Sequence, residues 1–346
     1  MHTPKPLRHS TGGIAKLNFP LVAFVSGGTG FLGGHLIAEL LRQGYTVHGL
    51  ARSESAAETL RQRGAQPLLL SHFLSTPLET PIAEARAFYH LAGLTKTIRP
   101  AEFEAVNGSL SAELARAAQA GGFRGRWLQV SSLAAAGPAP ENRLRAVADR
   151  LTPVSLYGKS KLHGERLVRQ VIQNADLTIV RPGAIYGPGD RDFLEVLKTL
   201  RFGVSLAVGA PFHVQLTHAL DVARGCIAAA ESPKTAGKTY FLNHPDVWLY
   251  DDAMALFAEL LGKSNVRTIR LPKGVGKAAA ATLDLLSRIA RKPLSPFTVD
   301  KWREATAGNW IADSAPLSED SGWEATISLR QGMSETIEAY REQNLL

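Results

Sequence analysis

Two side chains in the middle of the chain could together move a proton to or from a small molecule. Tyr157 and Lys161 are four residues apart, so on a helix they share one face. A tyrosine is a poor base at neutral pH because its ordinary pKa is about 10. A neighbouring ammonium stabilises the phenolate and brings that pKa toward the working range. The pair therefore predicts an acid–base catalyst.

A third polar group lies upstream, where a predicted strand ends. The apolar run Arg126–Val130 is typical of a buried strand, and Ser131 and Ser132 follow it. Ligands of parallel sheets bind beyond the carboxyl ends of the strands. A serine hydroxyl in that place can donate a hydrogen bond to a substrate carbonyl. We expect one of these serines to complete a Ser–Tyr–Lys set.

A glycine-rich turn near the start of the chain predicts a dinucleotide site. The segment Ser26-Gly-Gly-Thr-Gly-Phe-Leu-Gly33 follows the apolar run Leu21–Ser26 and opens a helical pattern over Leu32–Arg42. Glycines allow a tight turn, a close approach of pyrophosphate and close packing of the helix on the strand. The free N–H groups of the helix would bind the phosphates. The predicted cofactor-binding residues of this turn are Gly27, Gly30, Phe31, Leu32 and Gly33, with Gly28 also fitting G-x-G-x-x-G.

The end of the second predicted strand, Tyr45–Leu50, bears on the choice between NADP and NAD. An NAD site usually carries an acidic residue here to hold the ribose hydroxyls. No Asp or Glu lies between Leu40 and Ser53, and Arg52 occupies this stretch. A guanidinium pairs well with a 2′-phosphate. We therefore expect NADP as the cofactor, with NAD as the alternative.

Short apolar runs and helical stretches alternate over the first half of the chain. This alternation predicts an α/β fold, a Rossmann-type doubly wound parallel sheet with helices on both faces. After Pro182 the pattern loosens into a smaller mixed α/β lobe with short strands only near Thr239–Leu242 and Val266–Arg270. The predicted organisation is a flexible N-terminal segment at 1–19, an NAD(P)-binding domain at 20–188, and a substrate-binding lobe at 189–346, partly interleaved with the first.

One helix of the predicted substrate lobe, Val275–Ile289, is amphipathic. An amphipathic helix buries its apolar face either against a core or at a membrane surface. Packing on the core of the lobe is the favoured interpretation.

Composition excludes several classes of protein. The single cysteine, Cys226, excludes a disulfide framework and fits a reducing, cytoplasmic compartment. The ten histidines form no ligand-like cluster with acids, so no metal site is expected. The net charge is +8, but the basic residues are scattered, which favours a phosphorylated cofactor over nucleic acid. No uninterrupted apolar stretch is long enough to span a membrane.

Taken together, these motifs resemble the extended short-chain dehydrogenase/reductase family, in its group of NAD(P)-dependent epimerases, dehydratases and 3β-hydroxysteroid-dehydrogenase-like reductases. The similar stretches occur in the family's order over roughly residues 20 to 225. They are Gly27–Gly33, Tyr89–Gly93, Val106-Asn107, Ser131-Ser132, Tyr157–Lys161, Arg181–Asp190 and His218–Val222.

The resemblance implies a role for each matching residue. Tyr157 would be the acid/base, and Lys161 would lower its pKa and hydrogen-bond the nicotinamide ribose. Ser132 aligns best with the family's substrate-binding serine, with Ser131 as the alternative. Further positions at the cofactor would be Ala92, Gly93, Pro182 and Gly183.

The resemblance also assigns roles away from the reaction. Asn107 would brace the helix beside the cofactor, whereas Arg181 and Asp221 would be structural. In relatives, two long helices form a dimer contact. By analogy, the predicted helices at 103–120 and 156–173 could form a homodimer.

Departures from the family pattern narrow the reaction. Dehydratases carry an Asp-Glu pair after the catalytic Ser or Thr, where this chain has Leu133 and Ala134. Dehydration is therefore not expected. The segment Leu133–Pro140 is almost entirely apolar, which favours a hydrophobic substrate. Thr95 and Leu133 join Ser132 as the predicted substrate-binding residues.

The sequence therefore predicts an NADP(H)-dependent oxidoreductase that interconverts a ketone and a secondary alcohol on a small, hydrophobic substrate. An NAD-dependent nucleotide-sugar epimerase is the alternative. A dinucleotide-binding protein without catalytic activity is a third hypothesis.

Overall fold

The computed structural model describes residues 21–75, 81–173, 176–263, 266–292, 295 and 297–346. The predicted N-terminal segment 1–19 lies outside these residues. The strands are β1 Val22–Ser26, β2 Thr46–Ala51, β3 Gln66–Leu69, β4 Ala87–His90, β5 Arg126–Val130, β6 Leu177–Pro182, β7 Ala184–Tyr186, β8 Val204–Val208, β9 His213–Val214, β10 Leu216–His218, β11 Thr239–Leu242, β12 Trp248–Leu249 and β13 Arg267–Leu271.

Helices fill most of the connections. The α-helices are α1 Phe31–Arg42, α2 Glu54–Gln62, α3 Leu70–Ser75, α4 Pro100–Phe103, α5 Leu110–Ala120, α6 Leu133–Ala136, α7 Leu156–Val171, α8 Arg191–Leu200, α9 Ala219–Glu231, α10 Tyr250–Leu260, α11 Lys273–Ile289, α12 Val299–Ala305, α13 Ala315–Ser321 and α14 Leu329–Glu342. A π-helical segment, Glu104–Ser109, joins α4 to α5. The helix predicted at 103–120 is therefore interrupted by one wide turn.

A seven-stranded sheet in the order β11-β6-β5-β4-β1-β2-β3 forms the centre of the molecule. Every neighbouring pair in this sheet is parallel, so the predicted Rossmann-type sheet is confirmed. The chain moves outward from β1 to β3 and then returns to lay β4 on the other side of β1. Ligands bind at such a reversal, in the crevice beyond the strand ends.

Both faces of the sheet are covered, which explains why its strands are predominantly apolar. In β1, Ala23 and Val25 face a cluster shared with α1 and α9. Val22 and Phe24 point the other way, into a cluster shared with α5 and α7. This period of two is the geometry of a strand.

The later part of the chain contains more strands than the sequence predicted. Strand β11 lies in the predicted substrate lobe, yet it pairs with β6 and extends the central sheet. The other strands form three separate pairs, β7 with β10, β8 with β13 and β9 with β12. Most of them span only two or three residues, which is too short to leave a periodic pattern.

Helix α11 is amphipathic, as predicted, but its large apolar residues do not pack on a core. The residues that it buries are small ones, Gly276, Ala280 and Ser287. Large apolar side chains on its other side are exposed. None of the helices within the described residues has both the length and the apolarity that crossing a membrane requires.

Candidate active site

The glycine turn lies at the reversal of strand order and leaves no room for side chains. Gly27 has φ +75°, and a Cβ there would lie 2.6 Å from the backbone nitrogen of Ala92. A Cβ on Gly33 would lie 2.2 Å from the carbonyl oxygen of Gly27. The turn and the loop after β4 are thus packed backbone on backbone.

Helix α1 starts from this turn with free donors. Gly30 is its N-cap residue, and no side chain caps the helix there. Phe31 and Leu32, in the first turn, are half-buried. Uncapped N–H groups at the positive end of a helix dipole are suited to a pyrophosphate. These observations fit the dinucleotide that the sequence predicts.

Asn107 holds the loop on the other side of the crevice. Its Oδ1 accepts from the N–H of Leu94 at 2.7 Å, and its Nδ2 donates to the Leu94 carbonyl at 2.9 Å. Nδ2 also donates to Ser160 Oγ at 2.9 Å, on α7. Asn107 is buried in the π-helical segment. It therefore ties the loop after β4 to α7.

A buried chain of hydrogen bonds ties β1 to the same π-helical segment. Ser111 donates to the Asn107 carbonyl at 2.9 Å, so its oxygen accepts from Nε2–H of His90 at 2.8 Å. Nδ1 of His90 then accepts from the Ser26 hydroxyl at 2.6 Å. Burial lowers the pKa of His90 to about 3, with a smaller contribution from the charge of Lys161. The ring is therefore neutral and serves as a fixed connector.

The two candidate serines face opposite ways, as successive residues after a strand do. Ser131 is buried and donates to Glu165 Oε1 at 2.5 Å. That carboxylate also accepts two hydrogen bonds from Arg181, at 2.9 and 2.6 Å. Ser132 caps α6 by accepting the N–H of Ala134 at 3.1 Å, and its hydroxyl acts to lower the pKa of Tyr157. Ser131 is therefore engaged with Glu165, whereas Ser132 is the serine that affects the tyrosine.

Lys161 lies one turn after Tyr157 on α7, as predicted. Its Nζ donates to the Val130 carbonyl at 2.7 Å. A Cβ on Gly93 would lie 3.4 Å from the same Nζ. Burial lowers the pKa of Lys161 to about 8, against the opposing charge of Glu165. The ammonium thus borders the loop where the nicotinamide ribose is expected.

A short helix that the sequence analysis missed lies against the start of α7. Asp300, on α12, accepts from the backbone N–H groups of Leu156 at 2.6 Å and Tyr157 at 3.0 Å. Ser155 accepts from Gly158 N–H at 2.9 Å and donates to Glu304 at 2.7 Å. Helix α12 therefore fixes the first turn of α7, which carries the tyrosine.

The same helix brings a second lysine to the tyrosine. Lys301 Nζ lies 5.6 Å from the centre of the Tyr157 ring and donates to Glu304 at 2.9 Å. Burial raises the pKa of Tyr157, while the hydrogen bond from Ser132 and the charge of Lys301 oppose that rise. Burial lowers the pKa of Lys301, but Glu304 outweighs it and the net pKa is raised. Lys301 therefore stays charged beside the phenol.

The other predicted cofactor residues border the crevice. Arg52 follows β2 and is exposed, and it makes no hydrogen bond or ion pair within the described residues. Pro182 ends β6, and Gly183 donates its N–H to Asn243 Oδ1 at 2.7 Å. The Nδ2 of Asn243 is buried without a partner in the described part of the chain. Asn243, which follows β11, was not predicted from the sequence.

A cavity of about 350 Å³ lies near the start of α7, where Leu156, the neighbour of Tyr157, lines it. Its lining includes Thr95, Phe103 and Leu156, together with residues of α11 and α12. Thr95 lines this cavity, and its role at the substrate stays a prediction. Leu133 is buried in a cluster with Phe241 and Ala312 and does not line this cavity. Its role at the substrate stays a prediction.

Two further predictions concern Asp221 and metal ligation. Asp221 is buried and accepts from the N–H groups of Thr326 at 3.0 Å and Ile327 at 2.8 Å, so it anchors the segment before α14. No group of three or more metal-ligating side chains occurs among the residues that the structure describes.

Known proteins match this arrangement over most of the chain. Residues 23–242 match the NAD dependent epimerase/dehydratase family. Ceramide reductase of Caulobacter vibrioides is 31% identical over 92% of this chain and 94% of its own. The mitochondrial NADH dehydrogenase [ubiquinone] 1 alpha subcomplex subunit 9 of Arabidopsis thaliana is 28% identical, over 90% of this chain and 76% of its own.

Solved structures share the fold. The UDP-glucuronic acid 4-epimerase of Bacillus cereus, in complex with NAD, superposes with a TM-score of 0.69. The match covers 93% of this chain and 99% of the epimerase, at 18% identity. Similarity at this level of identity concerns the architecture.

Proposed function

This chain belongs to the NAD dependent epimerase/dehydratase family, and we propose that within it the protein is an NADP(H)-dependent reductase of hydrophobic ketones, acting reversibly on the secondary alcohols. The family and the reductase among its relatives make it an NAD(P)-dependent enzyme of the dehydrogenase/reductase type. The cofactor preference, the catalytic residues and the substrate class are the proposal.

The observation that carries the proposal is the placement of three groups around the carboxyl end of β5: Ser132 at the start of α6, and Tyr157 and Lys161 on α7. Ser132 acts to lower the pKa of Tyr157, and Nζ of Lys161 lies against Gly93 and donates to the Val130 carbonyl. Leu156, the neighbour of Tyr157, lines the cavity that Thr95 also lines. A ketone that enters from this side would present its oxygen to the hydroxyls of Ser132 and Tyr157.

The dinucleotide supplies a hydride at C4 of its nicotinamide. Ser132 would hold the substrate oxygen by donating a hydrogen bond to it. Tyr157 would donate its phenolic proton to that oxygen during reduction and take it back during oxidation. Lys161 would hold the nicotinamide ribose and stabilise the phenolate that remains.

The surroundings support a hydrophobic substrate. Phe103, Leu156 and Leu285 supply apolar side chains to the cavity, and charged groups such as Lys96 and Arg303 also line it. The acid pair that a dehydratase needs after the serine is replaced by Leu133 and Ala134, both buried. A relative named ceramide reductase supports a ketone or alcohol that carries long apolar chains.

Arg52 supports NADP over NAD, and its replacement tests that preference. Its exposed guanidinium follows β2, where the 2′-phosphate of NADP would lie. We expect Arg52→Gln to lower kcat/KM for NADPH by about thirtyfold, because a charge-assisted hydrogen bond is lost. Activity with NADH should be unchanged. Steady-state kinetics with both cofactors measure the effect.

The matched control is Arg61→Gln on α2, since Arg61 is exposed and pairs with Glu54 at 2.9 Å. This variant should keep the kinetics of the wild type. An equal loss with NADPH and NADH in Arg52→Gln would contradict the NADP assignment.

Lys301 supplies a prediction about pH. Its charge lowers the pKa of Tyr157, so removing it should raise that pKa. Alcohol oxidation needs the phenolate, and its rate rises as pH passes the pKa of Tyr157. In Lys301→Met the midpoint of this rise should move to higher pH by about one unit. Lys301→Arg keeps the charge and should keep the midpoint. Equal pH profiles in all three proteins would exclude Lys301 from this role.

One pair of measurements distinguishes the proposed reductase from two other functions. A nucleotide-sugar epimerase would hold NAD tightly and consume no cofactor, whereas a catalytically silent subunit would turn over no substrate. One relative is named as an NADH dehydrogenase subunit, and this name favours the catalytically silent subunit as an alternative. Acid denaturation of the purified protein identifies any retained dinucleotide by chromatography. Net oxidation of NADPH with a long-chain ketone supports the reductase, and retained NAD without net oxidation contradicts it.

Four further expectations stay predictions. They are a homodimer through 103–120 and 156–173, a cytoplasmic location, the absence of nucleic acid partners, and the domain division at residue 188.

A further inference from the structure

Helix α11 presents its large apolar side chains to solvent. Val275, Leu285, Leu286 and Ile289 are 54%, 59%, 46% and 71% exposed. At 3.6 residues per turn, three of them (Val275, Leu286 and Ile289) project within about 60° of one another. Globular proteins seldom leave several large apolar side chains together on one face unless that face binds something.

The inner face of α11 explains why these side chains point outward. Gly276, Ala280 and Ser287 form its buried stripe. A Cβ on Gly276 would lie 2.7 Å from Cγ1 of Val208 on β8, so the helix lies close against that strand. Small residues on the inside and large ones on the outside reverse the arrangement of a core-packed helix.

Two further exposed apolar residues lie on the strand pair against which α11 packs. Leu206 and Ile269 are register partners in the parallel pair of β8 and β13, and they are 56% and 41% exposed. Leu206 is two residues from Val208 and therefore shares its face of the strand. This is the face against which α11 packs.

The rim of this surface is basic. The stretch from Lys273 to Lys292 contains five basic residues and a single acid, Asp284. The carboxylate of Asp284 accepts the backbone N–H of Val299 at 3.1 Å. The basic residues are exposed and pair with no carboxylate within the described residues. They are Lys273, Lys277, Arg288, Arg291 and Lys292.

We propose that α11, with the exposed apolar residues of β8 and β13, docks this protein on the surface of a bilayer that contains anionic phospholipid. An apolar face flanked by lysine and arginine is the composition of helices that lie in the membrane interface. Lysines and arginines without a carboxylate partner at the edge of this face are complementary to lipid phosphates. A second copy of the chain fits less well, because two such rims would repel each other.

The position of the helix links docking to the substrate. Leu285 and Arg288 of α11 line the cavity that Thr95 and Leu156 also line. A docked protein would thus open this cavity toward the bilayer, where a long-chain ketone or alcohol resides. This second step rests on the proposed function, whereas docking itself does not.

Vesicle flotation tests the docking directly. With vesicles of phosphatidylcholine containing about 30% phosphatidylglycerol, we expect the protein to float, and to float less in about 0.5 M salt. Leu286→Glu/Ile289→Glu should lower the partition coefficient at least about tenfold, since it places two carboxylates in the interface. Arg291→Gln/Lys292→Gln should weaken binding only to the anionic vesicles. Both pairs are exposed, and thermal denaturation checks that the variants fold.

Leu74→Glu is the matched control, because Leu74 is 40% exposed on α3, far along the chain in the nucleotide-binding half. It should bind vesicles as the wild type does. Failure of the wild type to float, or equal flotation of Leu286→Glu/Ile289→Glu, would overturn the proposal. It would also fall if light scattering showed a dimer that this double variant dissociates, because the face would then belong to a second copy.

Activity separates the docking from the reductase. The double variant at 286 and 289 should reduce a short, water-soluble ketone at the wild-type rate and lose at least about tenfold on a ketone embedded in vesicles. Equal rates on the embedded ketone would overturn the link to the substrate. A protein that floats but reduces no ketone would keep the docking and contradict the proposed function.

Discussion

Replacing Tyr157 with phenylalanine should lower kcat/KM for NADPH-dependent ketone reduction by about a thousandfold. The change removes one oxygen, and with it the only proton donor that we propose for the substrate oxygen. The ring should stay in place, because it packs against Phe103 with ring centres 6.2 Å apart. Initial rates of NADPH oxidation, followed by absorbance with a saturating ketone, measure the loss.

Cofactor binding is the control for this variant. The phenol is one of several groups expected at the dinucleotide, so titration of NADPH by fluorescence should give a Kd within a few-fold of the wild type. Thermal denaturation should show an unchanged fold. Undiminished reduction by Tyr157→Phe would reject the proposed mechanism and leave only the fold and the crevice.

The buried pair of Glu165 and Arg181 should be the most costly ion pair to break. Glu165 is 2% exposed and Arg181 4%. Glu165→Ala leaves a guanidinium buried without a counter-charge and removes the acceptor of Ser131. We expect the free energy of unfolding to fall by about 3–5 kcal/mol. Urea denaturation followed by circular dichroism measures it.

Two comparisons show whether the unpaired buried charge causes the loss of stability in Glu165→Ala. Glu259→Ala breaks an ion pair with Arg330 whose side chains are 62% and 58% exposed, and it should leave the urea midpoint almost unchanged. Glu165→Leu/Arg181→Met removes both charges and should recover much of the stability lost in Glu165→Ala. If the double variant were less stable than the single one, desolvation of the unpaired charge would not be the reason.

Local patterns in the sequence predicted the nucleotide-binding half well. The turn from Gly27 to Gly33 and strand β5 needed only short-range information, because glycines, apolar runs and helix periodicity each act over a few residues. The parallel direction of the strands follows from the alternation of strand and helix.

Contacts between distant segments could not be read in this way. Asp300 reaches Tyr157 across 143 residues of chain, and the seven residues of α12 carry no pattern that points to α7. The sequence therefore offered Lys161 as the cation for the phenol and gave no sign of Lys301. It also left Ser131 and Ser132 open, since both have the right chemistry and only the three-dimensional surroundings distinguish them.

The amphipathic pattern of α11 likewise did not indicate what its apolar face contacts. The spacing of apolar residues between Val275 and Ile289 defines a face, but a helix wheel does not say whether protein or solvent meets it. Gly276 provides the answer only through its approach to Val208, which is a tertiary contact.

The pairing of β11 with β6 has a consequence for synthesis of the chain. Until the ribosome has added Leu242, β6 has its inner neighbour β5 but lacks the strand that covers its outer edge. An unsatisfied edge of apolar residues invites association with other nascent chains. A fragment truncated near residue 188 would keep that exposed edge permanently, so expression of the cofactor-binding half by itself would favour inclusion bodies.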